Sequence, residues 1–183
     1  DSIANYAISK KMTPGLQVVV ARKGKVIYQK SFGNHTYEST QKVNNTDVYD
    51  IASLTKIVAT LPNVMQEFDQ GHLTLETKLK TMLPMAKNSN KANATVLDML
   101  THQARFQPWI PFYKATLDSL NRPRSHFYRS EFSDEFPIHV ADKLYLRKDY
   151  NDTIVKTILD SELLPKKQYK YSDFSFILFK EYL

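Results

Sequence analysis

Apolar residues at Leu54, Ile57, Val58, Leu61, Val64, Met65 and Phe68 recur at intervals of three and four. That period puts them on one face of a helix, and its continuity predicts a helix that is central and buried. Gly71 closes it in the manner of a C-terminal cap. Pro62, which lacks a backbone N–H, predicts a kink about a turn and a half beyond Lys56. Nearer the N-terminus the period changes to two. Leu16–Arg22 is rich in valine, Val26–Phe32 alternates apolar with polar, and Lys23-Gly24-Lys25 forms the turn of a β-hairpin. Ser2–Lys11 reads as a leading helix broken by Thr13-Pro14-Gly15. Gly33–Thr46 reads as a polar loop, and Val48–Ile51 as a short strand-like approach to Ser53.

Beyond Gly71 the pattern is less regular. Pro84–Asn93 is small and polar, which predicts a surface connection. Thr95–His102 reads as a short helix capped by Thr95, with Asp98 in its first turn. Leu120–Phe136 reads as irregular. Ile154–Leu164 reads as a helix capped by Asp152 or Thr153, Tyr169–Tyr171 as a short extended piece, and Phe174–Tyr182 as a further helix.

Composition narrows the chemistry. The 183 residues include no cysteine, which excludes thiol catalysis, disulfides and thiolate metal sites. The five histidines show no metal-ligand spacing, so neither a metal nor a cofactor is expected. The net charge is +6, but Lys10-Lys11, Arg22-Lys23 and Lys166-Lys167 are isolated pairs, not a stripe, so no nucleic-acid partner is expected. No apolar run has the length of a membrane span. The chain starts at Asp1 without a charged-then-apolar leader.

One constellation carries nucleophilic chemistry. A serine hydroxyl needs a base beside it and a donor for the developing oxyanion. In Ser53-Leu54-Thr55-Lys56 the serine and lysine are three apart at the start of the helix, so both lie on one face. The positive end of the helix and its free N–H groups, that of Ser53 included, lie near the nucleophile. A buried Lys56 amine would have a depressed pKa and could shuttle protons. The spacing occurs twice, because Ser39-Thr40-Gln41-Lys42 also fits, but that copy lies in a polar loop. Without further context Ser53 is better read as a plain helix cap. Tyr171-Ser172-Asp173 adds a phenol able to serve as general base, or else an ordinary half-buried tyrosine. Its decoy, Tyr150-Asn151-Asp152, is better explained by Asp152 capping a helix.

Four segments then stand in a familiar order: Tyr49-Asp50-Ile51-Ala52-Ser53-Leu54-Thr55-Lys56, the long helix ending at Gly71-His72-Leu73, Val96-Leu97-Asp98-Met99-Leu100-Thr101-His102, and Tyr171-Ser172-Asp173. Together they resemble the beta-lactamase-related serine hydrolases: class C beta-lactamases, D-alanyl-D-alanine carboxypeptidases, D-aminopeptidases and related esterases. The resemblance implies an α/β fold of the α+β type, the serine beta-lactamase or penicillin-binding-protein-like fold. In it an antiparallel sheet has flanking helices and a helical lobe. It further implies one incomplete domain whose C-terminal part is absent: 1–72 as hairpin and nucleophile helix, 73–165 as a mostly helical lobe, 166–183 as the Tyr-Ser-Asp element. The family's Lys-Thr-Gly or His-x-Gly strand, which supplies the second oxyanion donor, does not occur in these residues.

Residue by residue, the resemblance makes Ser53 the acylated nucleophile, Lys56 its proton partner and Tyr171 the general base. Asp173 stands where the lactamases usually have asparagine. An acceptor-only carboxylate suits the Lys56 ammonium better than a substrate carbonyl, which lowers the expectation of true beta-lactamase activity. Arg105, in a stretch where the family usually has glycine, reads either as a clamp for a substrate carboxylate or as a surface charge. Trp109 reads either as a lip of the cleft or as a packing residue under a loop. His102 reads as a structural histidine. The implied reaction is hydrolysis of an amide, lactam or ester through a serine acyl-enzyme. The implied substrate is a small molecule or peptide of the cell-wall-derived kind, in the periplasm or another exported location. A non-catalytic binding or sensor domain, or an inactive fragment of a longer polypeptide, is the alternative.

Overall fold

A computed structural model describes residues 1–183. The chain divides into two compact units, Asp1–Ala52 and Ser53–Leu183. In the first, helix α1 (Ser2–Ser9) precedes an antiparallel hairpin of β1 (Gly15–Arg22) and β2 (Lys25–Gly33). The turn forms because Lys23 and Gly24 both take positive φ, 49° and 73°, the geometry that a two-residue hairpin loop demands. At the far end Gly15 pairs with Gly33, and a Cβ on Gly15 would come within 2.4 Å of the Asn34 carbonyl, so only glycine fits. The Ser39–Lys42 copy of the serine-lysine spacing lies in the following loop, where Ser39 Oγ accepts the Gln41 N–H at 3.0 Å. Val48–Ile51 forms no strand.

The second unit opens within a helical run of changing pitch. A 3₁₀ turn at Ala52–Leu54 leads to a π-turn at Lys56–Thr60 and then to α2 (Leu61–Asp69). The expected effect of Pro62 takes this form. With no N–H at Pro62, the ladder widens one step earlier, and the Leu61 N–H reaches back five residues to the Lys56 carbonyl. Gly71 ends α2 at φ 76°, with Gly71 N–H on the Phe68 carbonyl and His72 N–H on the Glu67 carbonyl, a Schellman cap.

The expected burial of this helix is corrected. Val64 is its only buried residue, while Leu54, Ile57, Val58, Met65 and Phe68 stay about half exposed. Period shows which side chains share a face; it does not say what covers that face.

The core of the unit lies among other elements. Helix α3 (Leu79–Met82), α4 (Val96–Leu100), α5 (Tyr150–Asp160) and α6 (Phe174–Tyr182) contribute Leu79, Val96, Met99, Ile158, Phe174, Leu178 and Phe179, all fully buried. Two further expectations are corrected here, the first in part. Pro84–Asn93 runs partly over the surface, as expected, but it sends Ala86, Lys91 and Ala92 into the interior. Helix α5 spans Tyr150–Asp160 rather than Ile154–Leu164, and neither Asp152 nor Thr153 caps it: Asp152 lies in its first turn. A small antiparallel sheet was also not anticipated. Strand β5 (Leu144–Leu146) sits between β3 (Tyr128–Arg129) and β4 (Ile138–Ala141), inside the lobe expected to be mostly helical. No helix is long and apolar enough to cross a membrane.

Candidate active site

Ser53, Lys56, Tyr171 and Asp173 meet within the second unit. Ser53 and Lys56 are brought together by the helical run, and Lys56 Nζ donates to Ser53 Oγ at 3.3 Å. Tyr171 reaches the same oxygen from 118 residues away, its hydroxyl donating at 2.8 Å. Lys56 Nζ also pairs with Asp173 Oδ1 at 2.7 Å. It lies 5.2 Å from the centre of the Tyr171 ring and 5.7 Å from that of Phe176, with two aromatic faces turned toward a cation.

Asp173 occupies the N-cap position of α6 yet makes no cap bond with its side chain. Ser172 takes over that task locally, its Oγ accepting the Phe174 N–H at 3.2 Å while donating to the Gln107 carbonyl at 2.6 Å. The Asp173 carboxylate is thereby released to turn toward Lys56. Its backbone N–H is held by the Pro108 carbonyl at 3.0 Å. The segment preceding Trp109 therefore anchors the Tyr-Ser-Asp element, and Trp109 itself stands 55% exposed next to that anchor.

The electrostatics differ from the expectation of a depressed amine. Burial pushes the Lys56 pKa down, but hydrogen bonds to Asp173 and Tyr171 and their charge outweigh it, and the amine is held above its ordinary value. Lys56 is thus an ammonium at neutral pH.

Arg105 does not join this cluster through any polar contact. Its Nε donates to the Leu164 carbonyl at 2.6 Å, and its own carbonyl accepts the Leu164 N–H at 2.7 Å, so it ties two loops together. His102 is the residue whose place sequence reasoning understated. Its Nδ1 accepts the Ser172 N–H at 3.2 Å, and its ring lies 4.5 Å from that of Tyr171. The signal available was only a histidine at the end of a capped helix. No cluster of three or more His, Asp or Glu side chains is placed to hold a metal ion.

A family model described as Beta-lactamase matches residues 4–183. The chain is 29% identical over 97 residues to Protein flp of Staphylococcus aureus, which covers 52% of this chain and 19% of that protein. It is 29% identical over 122 residues to a Beta-lactamase of Providencia stuartii, covering 66% of this chain and 31% of that one. The crystal structure of a class C beta lactamase superposes on all of this chain and on 43% of its own, with a TM-score of 0.64 and 18% identity, a likeness of fold. The chain therefore spans about a fifth to a third of the length of these curated relatives.

Proposed function

Because the chain belongs to the Beta-lactamase family, we propose that it is a serine hydrolase that cleaves an amide, lactam or ester through an acyl-enzyme on Ser53. The observation that carries this reading is the Ser53 oxygen, which is met by Tyr171 at 2.8 Å and Lys56 at 3.3 Å. Those are the two partners an acyl-transfer serine needs, one to take its proton and one to hold charge.

The proton path follows from which groups are free to act. Lys56 is kept as an ammonium by Asp173 and has no lone pair to offer. In this mechanism Tyr171 first gives its hydroxyl proton to solvent, the Lys56 ammonium steadies the phenolate left behind, and that phenolate takes the proton from Ser53 Oγ. The oxygen attacks the substrate carbonyl and forms a tetrahedral intermediate. The bond to the leaving group then breaks, and the Tyr171 proton passes to the departing nitrogen or oxygen. Water repeats the sequence on the acyl-enzyme: it gives a proton to Tyr171, attacks the ester, and Ser53 leaves with that proton restored. The N–H of Ser53, at the start of the helical run, supplies one oxyanion donor. Asp173 disfavours a substrate carbonyl at its position, since a carboxylate only accepts. Trp109, exposed beside the Pro108 anchor, is the proposed lip against which the acyl group rests. The substrate is a small molecule or peptide, and an exported location follows from the cell-wall-derived compounds the family resemblance implies.

The test is covalent labelling of the full-length gene product with a fluorophosphonate, read by intact mass and peptide mapping. A single adduct on Ser53, lost in Ser53→Ala, is expected. A protein that stays folded and takes no adduct on Ser53 overturns the reading and leaves a binding domain of the same fold.

A further inference from the structure

His102 touches the backbone on both sides of Tyr171. Its carbonyl accepts the Lys170 N–H at 2.8 Å, and its Nδ1 accepts the Ser172 N–H at 3.2 Å. Residues 169–172 belong to no sheet, so these two bonds stand where a strand ladder would otherwise fix Tyr171. The imidazole also lies 4.5 Å from the Tyr171 ring at an interplanar angle of 35°, with Tyr169 edge-on at 6.0 Å and Phe176 at 5.7 Å.

The backbone of His102 is arranged for this task. It follows α4 at φ 56°, a left-handed conformation uncommon for a side chain of this size, and its N–H bonds to the Met99 carbonyl at 3.3 Å. That turn sets its carbonyl and its ring toward the same segment.

A backbone N–H can only donate, so the ring nitrogen facing Ser172 must carry a lone pair. In the neutral ring the proton is therefore on Nε2. We propose that His102 is a positioning residue for the candidate nucleophile: as the Nε2–H tautomer it holds Tyr171 over Ser53, and protonation of Nδ1 sets two donors face to face and releases the Tyr171 segment. This rests on the acyl-transfer reading of Ser53.

The surroundings keep the switch in its holding state near neutral pH. The charged and titratable groups that face the ring are Lys56 on the helical run, and Tyr169, Tyr171 and Asp173 on the segment it holds. Burial, then the Lys56 charge, pushes the imidazole below its ordinary value, with Asp173 and the backbone hydrogen bond to Ser172 pulling the other way.

The test combines kinetics with a direct reading of the tautomer. Fluorophosphonate labelling of Ser53 is timed from about pH 5 to about pH 8 for the parent chain, His102→Asn and His102→Phe. Asparagine tolerates positive φ and places its Oδ1 where Nδ1 stands, but does not titrate. Phenylalanine keeps the ring stack and removes the acceptor. The parent rate is expected to fall at the acid end. His102→Asn is expected to shift that fall to lower pH, and His102→Phe to lower the rate by about a hundredfold, the usual effect of a misplaced catalytic group. An unchanged acid limb in His102→Asn overturns the proposal, as does parent-like labelling of folded His102→Phe. Separately, long-range proton–nitrogen NMR of the parent imidazole is expected to show Nε2–H at neutral pH, and Nδ1–H overturns the proposal. If the parent takes no label, the acyl-transfer reading fails, and the spectrum still decides whether His102 holds Ser172.

Discussion

Lys56 and Asp173 decide which group near Ser53 can accept a proton. Burial of the amine would favour the neutral form, and the carboxylate at 2.7 Å reverses that preference. The Lys56 side chain is 16% exposed and that of Asp173 36%, so solvent screens the pair in part. Asp173→Asn removes the charge that helps to hold the amine up against burial, so the Lys56 pKa falls. The sign on activity follows: a Tyr171 phenolate needs the ammonium beside it, and the alkaline limb of the labelling rate moves to lower pH. A pH series of fluorophosphonate labelling checks this, and an alkaline limb that stays in place would mean that Asp173 does not set the charge of Lys56. At this scale the sequence was informative wherever spacing was short. The three-residue step from Ser53 to Lys56 and the two-residue step from Tyr171 to Asp173 already confine the side chains. The reach of Tyr171 to Ser53 came from resemblance alone, and the lone pair of His102 was hidden, because a tautomer depends on a neighbour that no local pattern names.

Among the elements, the cap of α4 and the long hairpin were legible, while the ends of α5 and the small sheet were not. Thr95 caps α4 as its sequence suggests, its Oγ1 accepting the Asp98 N–H at 3.1 Å. Thr95→Ala should lower stability by about 1 kcal/mol, the usual cost of an N-cap. Urea unfolding with an unchanged slope checks it, and an unaltered midpoint would show that the bond contributes nothing net. Helix α4 ends just before His102, so the same substitution tests whether looseness at the cap reaches Tyr171: slower labelling is expected alongside the stability loss. The sheet of β3, β4 and β5 was not legible because its strands have two, four and three residues. An alternating period needs a longer run to stand out from a loop. The pitch change at Lys56–Thr60 was half legible. Pro62 announces a defect in the ladder, but whether the helix bends or widens depends on the residues packed around it.

On the scale of the whole molecule, the four site residues and nearly all of the core belong to the Ser53–Leu183 unit, while Phe32 and Val43 are the buried apolar side chains of the Asp1–Ala52 unit. Where the core would lie was the least legible feature. The strongest apolar period, on the run from Leu54 to Phe68, is largely exposed, whereas the polar-looking stretch after Pro84 enters the interior and carries Lys91 with it. Lys91 is 1% exposed, and its amine donates to Asn90 Oδ1 at 2.9 Å and to the carbonyls of Leu159 and Ser161, closing the C-terminal end of α5. A cation at that end of a helix is favourably placed, yet burial costs more than the dipole and the nearby Glu162 and Asp160 return. Its pKa is pushed down by burial to about 8, from an ordinary 10.5. Between those two values the unfolded chain holds more protons than the folded one, so the contribution of Lys91 to stability rises with pH across that window and is lost as pH falls through about 8. Tyr150 and Tyr182, both raised by burial, act in the opposite sense above the ordinary tyrosine range. The effect of Lys91 is therefore read as a difference between the parent and Lys91→Met, which keeps the length of the side chain and does not titrate. Urea midpoints taken at about pH 7 and about pH 10 should show the parent gaining stability relative to the variant as pH rises. Parallel curves for the two proteins would mean that the Lys91 amine is charged alike in the folded and unfolded chain, and that its burial is compensated in full by the carbonyls around it.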